Sequence, residues 1–259
     1  MSVRFLAYSC KHVPLHDESA INWLCQRISE HKPEYLIDLG DGIEADAALR
    51  WKDQSEHHWS LADEYAAHCR VLKTLREAAA KTTTCVYLPG NHDDNIVAAG
   101  RICPKLRELV DWRSPKNQPE LAHWTIGAQY KHCRTRGAYR IGQVVFAHGY
   151  ECSSNSDESQ ALYFANEYGL FVSGHTHRPT PGIMQARRTA SLPLRYWYAN
   201  VGCMRTMDAS YMDRKRKMLW GQAIVVGDAE PIKSPRVGRR WSAHVETYRM
   251  YDQWAGDVA

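Results

Sequence analysis

Short apolar runs that each empty into a polar or glycine-bearing turn recur along the first two thirds of the chain. They are Val3 to Ser9, Tyr35-Leu36-Ile37-Asp38-Leu39, Thr84-Cys85-Val86-Tyr87-Leu88, Val144-Val145-Phe146-Ala147 and Leu170-Phe171-Val172-Ser173. Runs of this length predict strands, and runs without polar alternation predict strands covered on both faces. Ile21, Leu24, Cys25 and Ile28 fall at helical spacing between the first two runs, with Asp17 placed to cap that helix and Lys32-Pro33 to stop it. Ser60 with Asp63 reads as a capping box for a longer helix carrying Leu61, Tyr65, Cys69, Leu72 and Leu75 on one side. Strand, helix and strand in this order predict right-handed crossovers and parallel pairing, so the loops after the strands open on one sheet edge. Further along, the pattern predicts a short helix over residues 104–110, a hairpin turning at Gly142-Gln143 and a helix over residues 157–168 closed by Gly169. The last third, with apolar runs at residues 196–200, 222–226 and 245–248 and no helical spacing between them, predicts antiparallel or mixed sheet.

Composition narrows the class. The 259 residues show no composition break, so the length fits one large domain or two small ones; a single domain over 1–259 is expected, and a chain of this size can bury roughly 75% of its unfolded surface. A net charge of +4 is too mild to call for nucleic acid by itself. Eight cysteines are scattered without a Cys-x-x-Cys pair, which excludes a zinc ribbon or thioredoxin-like motif and predicts reduced thiols in a cytoplasmic setting. The first ten residues have too short an apolar part for a signal segment and read as a first strand. No apolar stretch approaches the roughly 18 residues of a membrane span, so no membrane partner is expected.

The candidate chemistry lies just past the strands. His12, Asp41, Asn91 with His92, His148, and His175 with His177 each follow a predicted strand. Imidazoles, an amide oxygen and a carboxylate able to bridge are what a pair of divalent cations needs, and Asp41 is the natural bridge. Two cations about 3.5–4 Å apart lower the pKa of a shared water and clamp the oxygens of a phosphoryl group. The other histidines, His31, His57, His58, His68, His123, His132 and His244, read as surface or hydrogen-bonded core groups. Glu44 and Asp46 read equally as partners of a ligand and as solvated loop carboxylates, and Asp94 as a cap or loop residue. Trp51, Trp59, Trp112 and Trp124 read as core rather than as base-stacking groups. The basic runs at Arg187-Arg188, Arg214-Lys215-Arg216-Lys217 and Arg236 with Arg239-Arg240 read as a solvated face, with a nucleic-acid groove as the sharper alternative.

Gly40-Asp41, Gly90-Asn91-His92-Asp93, Ala147-His148-Gly149 and Gly174-His175-Thr176-His177, in that order, resemble the motifs of the calcineurin-like metallophosphoesterase superfamily. The motifs span residues 10–177, and Tyr198-Ala199-Asn200-Val201-Gly202 resembles the strand and turn that follow in that family. The resemblance implies an α/β fold, a four-layer sandwich of two mixed β-sheets flanked by helices. It implies that His12, Asp41 and His177 hold one cation, and Asp41, Asn91, His148 and His175 the other. His92 would stand above the cations as a phosphate-stabilising imidazolium or general acid, with Asp93 orienting it. The departure is Cys10, which stands where the family has a ligating carboxylate; as a thiolate it would favour zinc or iron over manganese, and as a thiol it would leave that site a ligand short. The expected cofactors are therefore two divalent ions, Mn, Zn or Fe. The expected activity is hydrolysis of a phosphodiester or phosphomonoester through a metal-bridging hydroxide, with nucleic acid or a nucleotide favoured as substrate. The alternative is a catalytically degenerate binding or scaffold protein of the same fold, suggested by Cys10.

Overall fold

The computed structural model describes residues 1–46, 59–102, 104–128, 130, 137–165, 167–187, 195–209, 212, 214–231 and 238–257. The first sheet is built from β1 (Val3–Tyr8), β2 (Tyr35–Asp38), β3 (Thr84–Tyr87), β4 (Thr125–Ile126), β10 (Gly221–Ala229) and β11 (Trp241–Met250), in the order β11-β10-β1-β2-β3-β4. Strands β1 to β4 run parallel, while β10 pairs antiparallel with β1 and with β11. The second sheet holds β5 (Tyr139–Ile141), β6 (Val144–Phe146), β7 (Leu170–Ser173), β8 (Met184–Gln185) and β9 (Trp197–Asn200), in the order β5-β6-β7-β9-β8. Both sheets are mixed, because β5 and β8 pair antiparallel with their neighbours and β6, β7 and β9 run parallel.

Alternation along β1 explains the layering. Phe5 and Ala7 pack with Ile37, Val86, Val144, Phe146, Val172 and Ala199 in an apolar layer between the two sheets. Leu6 and Tyr8 point the other way, into a layer covered by α1 (Glu18–His31) and α2 (Leu61–Ala78). On the far side of the second sheet, Val145 and Phe171 meet Ala161 and Phe164 of α4 (Ser156–Phe164). Helix, sheet, sheet and helix make the four layers that the resemblance implies. Such strands are covered on both faces, which is why their sequences run apolar.

The helix signals act as read. The Asp17 carboxylate accepts the Ser19 and Ala20 amides, Lys32 turns left-handed at φ 46°, and Ser60 and Asp63 form a reciprocal capping box. Other expectations shift. Residues 104–110 form only a 3-10 turn at Pro104–Leu106, and the helix in this region is α3 (Asn91–Ile102), which starts on the motif itself. Helix α4 ends at Phe164, short of Gly169. Trp112 and Trp124 are core residues, as expected. Among the described residues, no helix is long and apolar enough to cross a membrane. Trp51, His57, His58, His132, Arg188 and Arg236 lie outside the described residues.

Candidate metal centre

Parallel strands that stop together bring their following loops together, and backbone hydrogen bonds fix the registry. The Cys10 amide donates to the Gly40 carbonyl and the His12 amide to the Asp41 carbonyl, each at 2.9 Å, while the Gly174 amide donates to the His148 carbonyl at 3.0 Å. The fit of the second and third loops depends on glycine: a Cβ on Gly90 would lie 2.1 Å from Asp41 Oδ1, and one on Gly40, at φ 96°, would lie 2.4 Å from the Gly90 nitrogen. Five of the expected ligands, Cys10, His12, Asp41, His175 and His177, are left-handed, with φ between 49° and 65°. Each such non-glycine residue costs on the order of 1–2 kcal/mol, a strain that the surrounding packing sustains where the side chains must converge.

All seven expected ligands meet. Cys10, His12 and His177 offer donor atoms within 4.8 Å of one another, as do Cys10, Asp41 and His148, so the cysteine belongs to both triplets. His12 Nε2 lies 3.1 Å from His177 Nε2 and 3.8 Å from Asp41 Oδ2. His148 Nε2 lies 3.0 Å from Asp41 Oδ2, 3.1 Å from Asn91 Oδ1 and 3.2 Å from His175 Nδ1.

Proton accounting tests whether these groups suit a cation. His12 Nδ1 faces Glu44 Oε2 at 2.8 Å, so that nitrogen carries the hydrogen and Nε2 of the neutral ring presents a lone pair. That lone pair faces His177 Nε2, while the buried His177 Nδ1 has no hydrogen-bond partner among the described residues. His148 Nδ1 donates to the Leu39 carbonyl at 2.8 Å, which leaves its Nε2 opposite the carboxylate and amide oxygens of Asp41 and Asn91. A cation satisfies these converging atoms, and in its absence a hydrogen on His177 Nε2 and a proton on His148 Nε2 do so. The residues fit a metal site.

The charge states agree. Burial lowers His12 to about 4 and His175 to about 3, and holds His177 well below its usual value, so these rings are neutral donors at physiological pH. Burial opposes ionisation of Asp41, yet His148, His92 and His12 together hold it well below the usual carboxylate range. His148 is raised despite its burial, because Asp41 lies beside it; a cation entering there would displace that proton. Burial pushes the Cys10 thiol well above its usual value, and the charge of Asp41 adds to this. The Ser9 hydroxyl at 3.1 Å and the His175 amide at 3.2 Å work in the opposite direction. Without a cation, Cys10 is a thiol.

His92 stands beside this set. Its amide donates to Asp41 Oδ1 at 2.9 Å, its Nδ1 donates to the Glu44 carbonyl at 2.5 Å, and its ring packs edge-on against His12. The Asp93 carboxylate accepts the Gly90 amide at 2.8 Å, the Asp41 amide at 3.1 Å and the Tyr87 hydroxyl at 2.9 Å, so it braces the two loops. The Glu44 carbonyl holds the His92 ring through its Nδ1.

Glu44 is a partner of the site rather than a solvated loop carboxylate. Burial would raise it, but His12 and then Arg205 hold it at about 2. Arg205, fully buried with a nitrogen 3.5 Å from Glu44 Oε2, had no signal in the sequence, nor did the buried Lys11–Asp38 pair beneath the loops. Glu64 on α2 accepts the Ala45 and Asp46 amides at 2.8 Å each and so holds the loop that carries Glu44. Outside the centre, His68 is bonded to Gln118 in the core, and His31 and His244 share Glu246 at the surface.

No protein-family model matches the chain, and no curated protein matches it. Among solved structures, Vps29 of Chaetomium thermophilum is similar at 9% identity and a TM-score of 0.43, covering 96% of this chain and 97% of its own. Vps29 of Entamoeba histolytica complexed with zinc is similar at 10% identity and a TM-score of 0.37, over 95% and 99%. The nuclease MPE of Pseudomonas putida is similar at 14% identity and a TM-score of 0.38, over 78% and 75%. Likeness this slight decides nothing about the chemistry of this chain, which rests on the site itself. The fold is the helix-flanked pair of mixed sheets that the metallophosphoesterase resemblance implies, and the four motifs end together on it.

Proposed function

We propose that the chain is a metal-dependent phosphoesterase that hydrolyses a phosphate ester, with a phosphodiester of the nucleotide kind favoured, at a centre of two divalent cations. The supporting observation is the convergence of potential ligand atoms at His12–His177 and at His148–Asp41–Asn91, with His92 beside them and tied elsewhere. Cys10, His12, Asp41 and His177 would hold one cation, and Asp41, Asn91, His148 and His175 the other, with Cys10 near both. Bound there, the cations would supply Lewis-acid chemistry and a nucleophile from water at neutral pH.

The protein's own groups do the rest. The Glu44 carbonyl fixes the His92 Nδ1 hydrogen, so the proton His92 can deliver to a leaving oxygen is at Nε2. Glu44 and Arg205 keep His12 in the tautomer that leaves Nε2 as a donor. Asp93 and Glu64 fix the backbone of the two loops that present Asp41 and Glu44.

The test is hydrolysis of bis(p-nitrophenyl) phosphate by protein stripped with chelator and reloaded with manganese, zinc or iron. Turnover restored by at least one metal, with His92→Ala slowing it about a hundredfold at unchanged metal content, supports the reading. Loss of metal from His92→Ala, or no turnover with any of the three metals, refutes it and favours the binding-module alternative.

A further inference from the structure

Beside the centre lies a cavity of about 340 Å³, at the small end of the range for ligand pockets. Two segments connect it to the centre. Thr176 and Arg178, which line it, flank His177, and Ser153, which also lines it, follows Cys152, whose Sγ is 3.0 Å from His175 Nε2.

The lining suits an anion. Half-buried Arg178 has its Nε shielded from solvent with no hydrogen-bond partner among the described residues, while its charge acts on Asp157 across the cavity. Arg187, Ser153, Ser154 and Asn155 add a second positive charge and further polar groups. Asn155 precedes α4 without making a side-chain cap, so the positive end of that helix also meets the cavity. The two carboxylates present are already engaged. Asp157, which burial pushes up, accepts the Ser173 hydroxyl at 2.6 Å and the Asn200 amide at 3.0 Å, and Glu158 accepts the Arg187 amide at 2.6 Å.

We infer that this cavity receives a second phosphate of the substrate through Arg178, so that the preferred substrates are phosphate esters bearing two phosphate groups. The inference deepens the phosphoesterase reading, which places the first phosphate, but it is tested without turnover. Two sources share the chemistry: the neighbouring phosphate of an oligonucleotide and the second phosphate of a free nucleotide.

The experiment is calorimetric binding to the 259-residue chain of two ligand pairs: a thymidine dinucleotide with and without a 5′-phosphate, and thymidine diphosphate against the monophosphate. The added phosphate should tighten binding to the natural chain at least about tenfold in one pair, and Arg178→Gln should reduce that gain to about twofold or less. Arg178→Lys, which keeps the charge without the planar fork, should retain part of the gain. A gain confined to the dinucleotide pair identifies nucleic acid, and one confined to the other pair a nucleotide. Equal gains in the natural chain and Arg178→Gln, or no gain in either pair, would overturn the inference. So would equal losses of the one-phosphate and two-phosphate ligands in both variants, which would mark damage to neighbouring His177. A preserved, Arg178-dependent gain in a protein that hydrolyses nothing would count against the phosphoesterase reading and leave the cavity's role standing.

Discussion

Replacing Asp93 with alanine separates two roles open to a carboxylate next to His92. If Asp93 acted on the imidazole, its loss would slow turnover and leave stability and metal content alone. The structure instead has it accepting three buried donors, the Gly90 and Asp41 amides and the Tyr87 hydroxyl, at 2.8–3.1 Å. A buried donor left without a partner costs about 1–3 kcal/mol, and a water entering the vacated space would recover part of the total. A loss of about 3–5 kcal/mol follows, a large share of the roughly 5–15 kcal/mol by which folded domains are stable. For a chain of this length, that corresponds to a fall in Tm of about 6–10 °C. Because one of the orphaned amides belongs to Asp41, metal occupancy should fall as well. The assay is thermal unfolding of the variant with elemental analysis of the same sample. An unshifted Tm with full metal content and slowed turnover would refute the bracing role.

Three further outcomes are expected. Cys10→Asp should raise the preference for manganese over zinc at least about tenfold in a competition titration, since an oxygen donor replaces a soft one; no change would show that the thiol is not a ligand. Arg205→Met should destabilise the chain by about 3–5 kcal/mol in urea, because Glu44 stays buried without that cation. Burial pushes the Glu64 carboxyl up to about 8, above its unfolded value near 4.5. Its stabilising contribution is therefore complete below about pH 4.5 and is lost as the pH rises through about 8, so Glu64→Gln should flatten the fall in stability between these limits, and parallel slopes would contradict it.

The sequence showed the strands and the candidate ligands for the same reason: a strand covered on both faces must read as an uninterrupted apolar run, and the polar group that follows it then stands out. His12, Asp41, Asn91, His148, His175 and His177 were legible this way, Cys10 only through the family resemblance, and the structure brings all seven together. Caps at Asp17 and Ser60 were legible because capping is local. What escaped was long-range or backbone-mediated. Arg205 comes 161 positions after Glu44 in the chain and meets it only because β1, β2 and β10 share a sheet. Glu44 holds His92 through a carbonyl, which no side-chain pattern reveals, and Asp93 sits beside His92 in sequence while its side chain turns to Gly90 and Asp41. Helix α3 escaped because its first turn is the motif, whose polar residues mask helical periodicity.

The central claim is that the crowded donors hold two cations. Counting divalent metal per chain by elemental analysis, in protein purified without added metal and again after loading with zinc, tests it most directly. The account predicts about two per chain after loading, and a His148→Ala variant limited to one. At most one in the natural chain after loading, or two retained without His148, would contradict it.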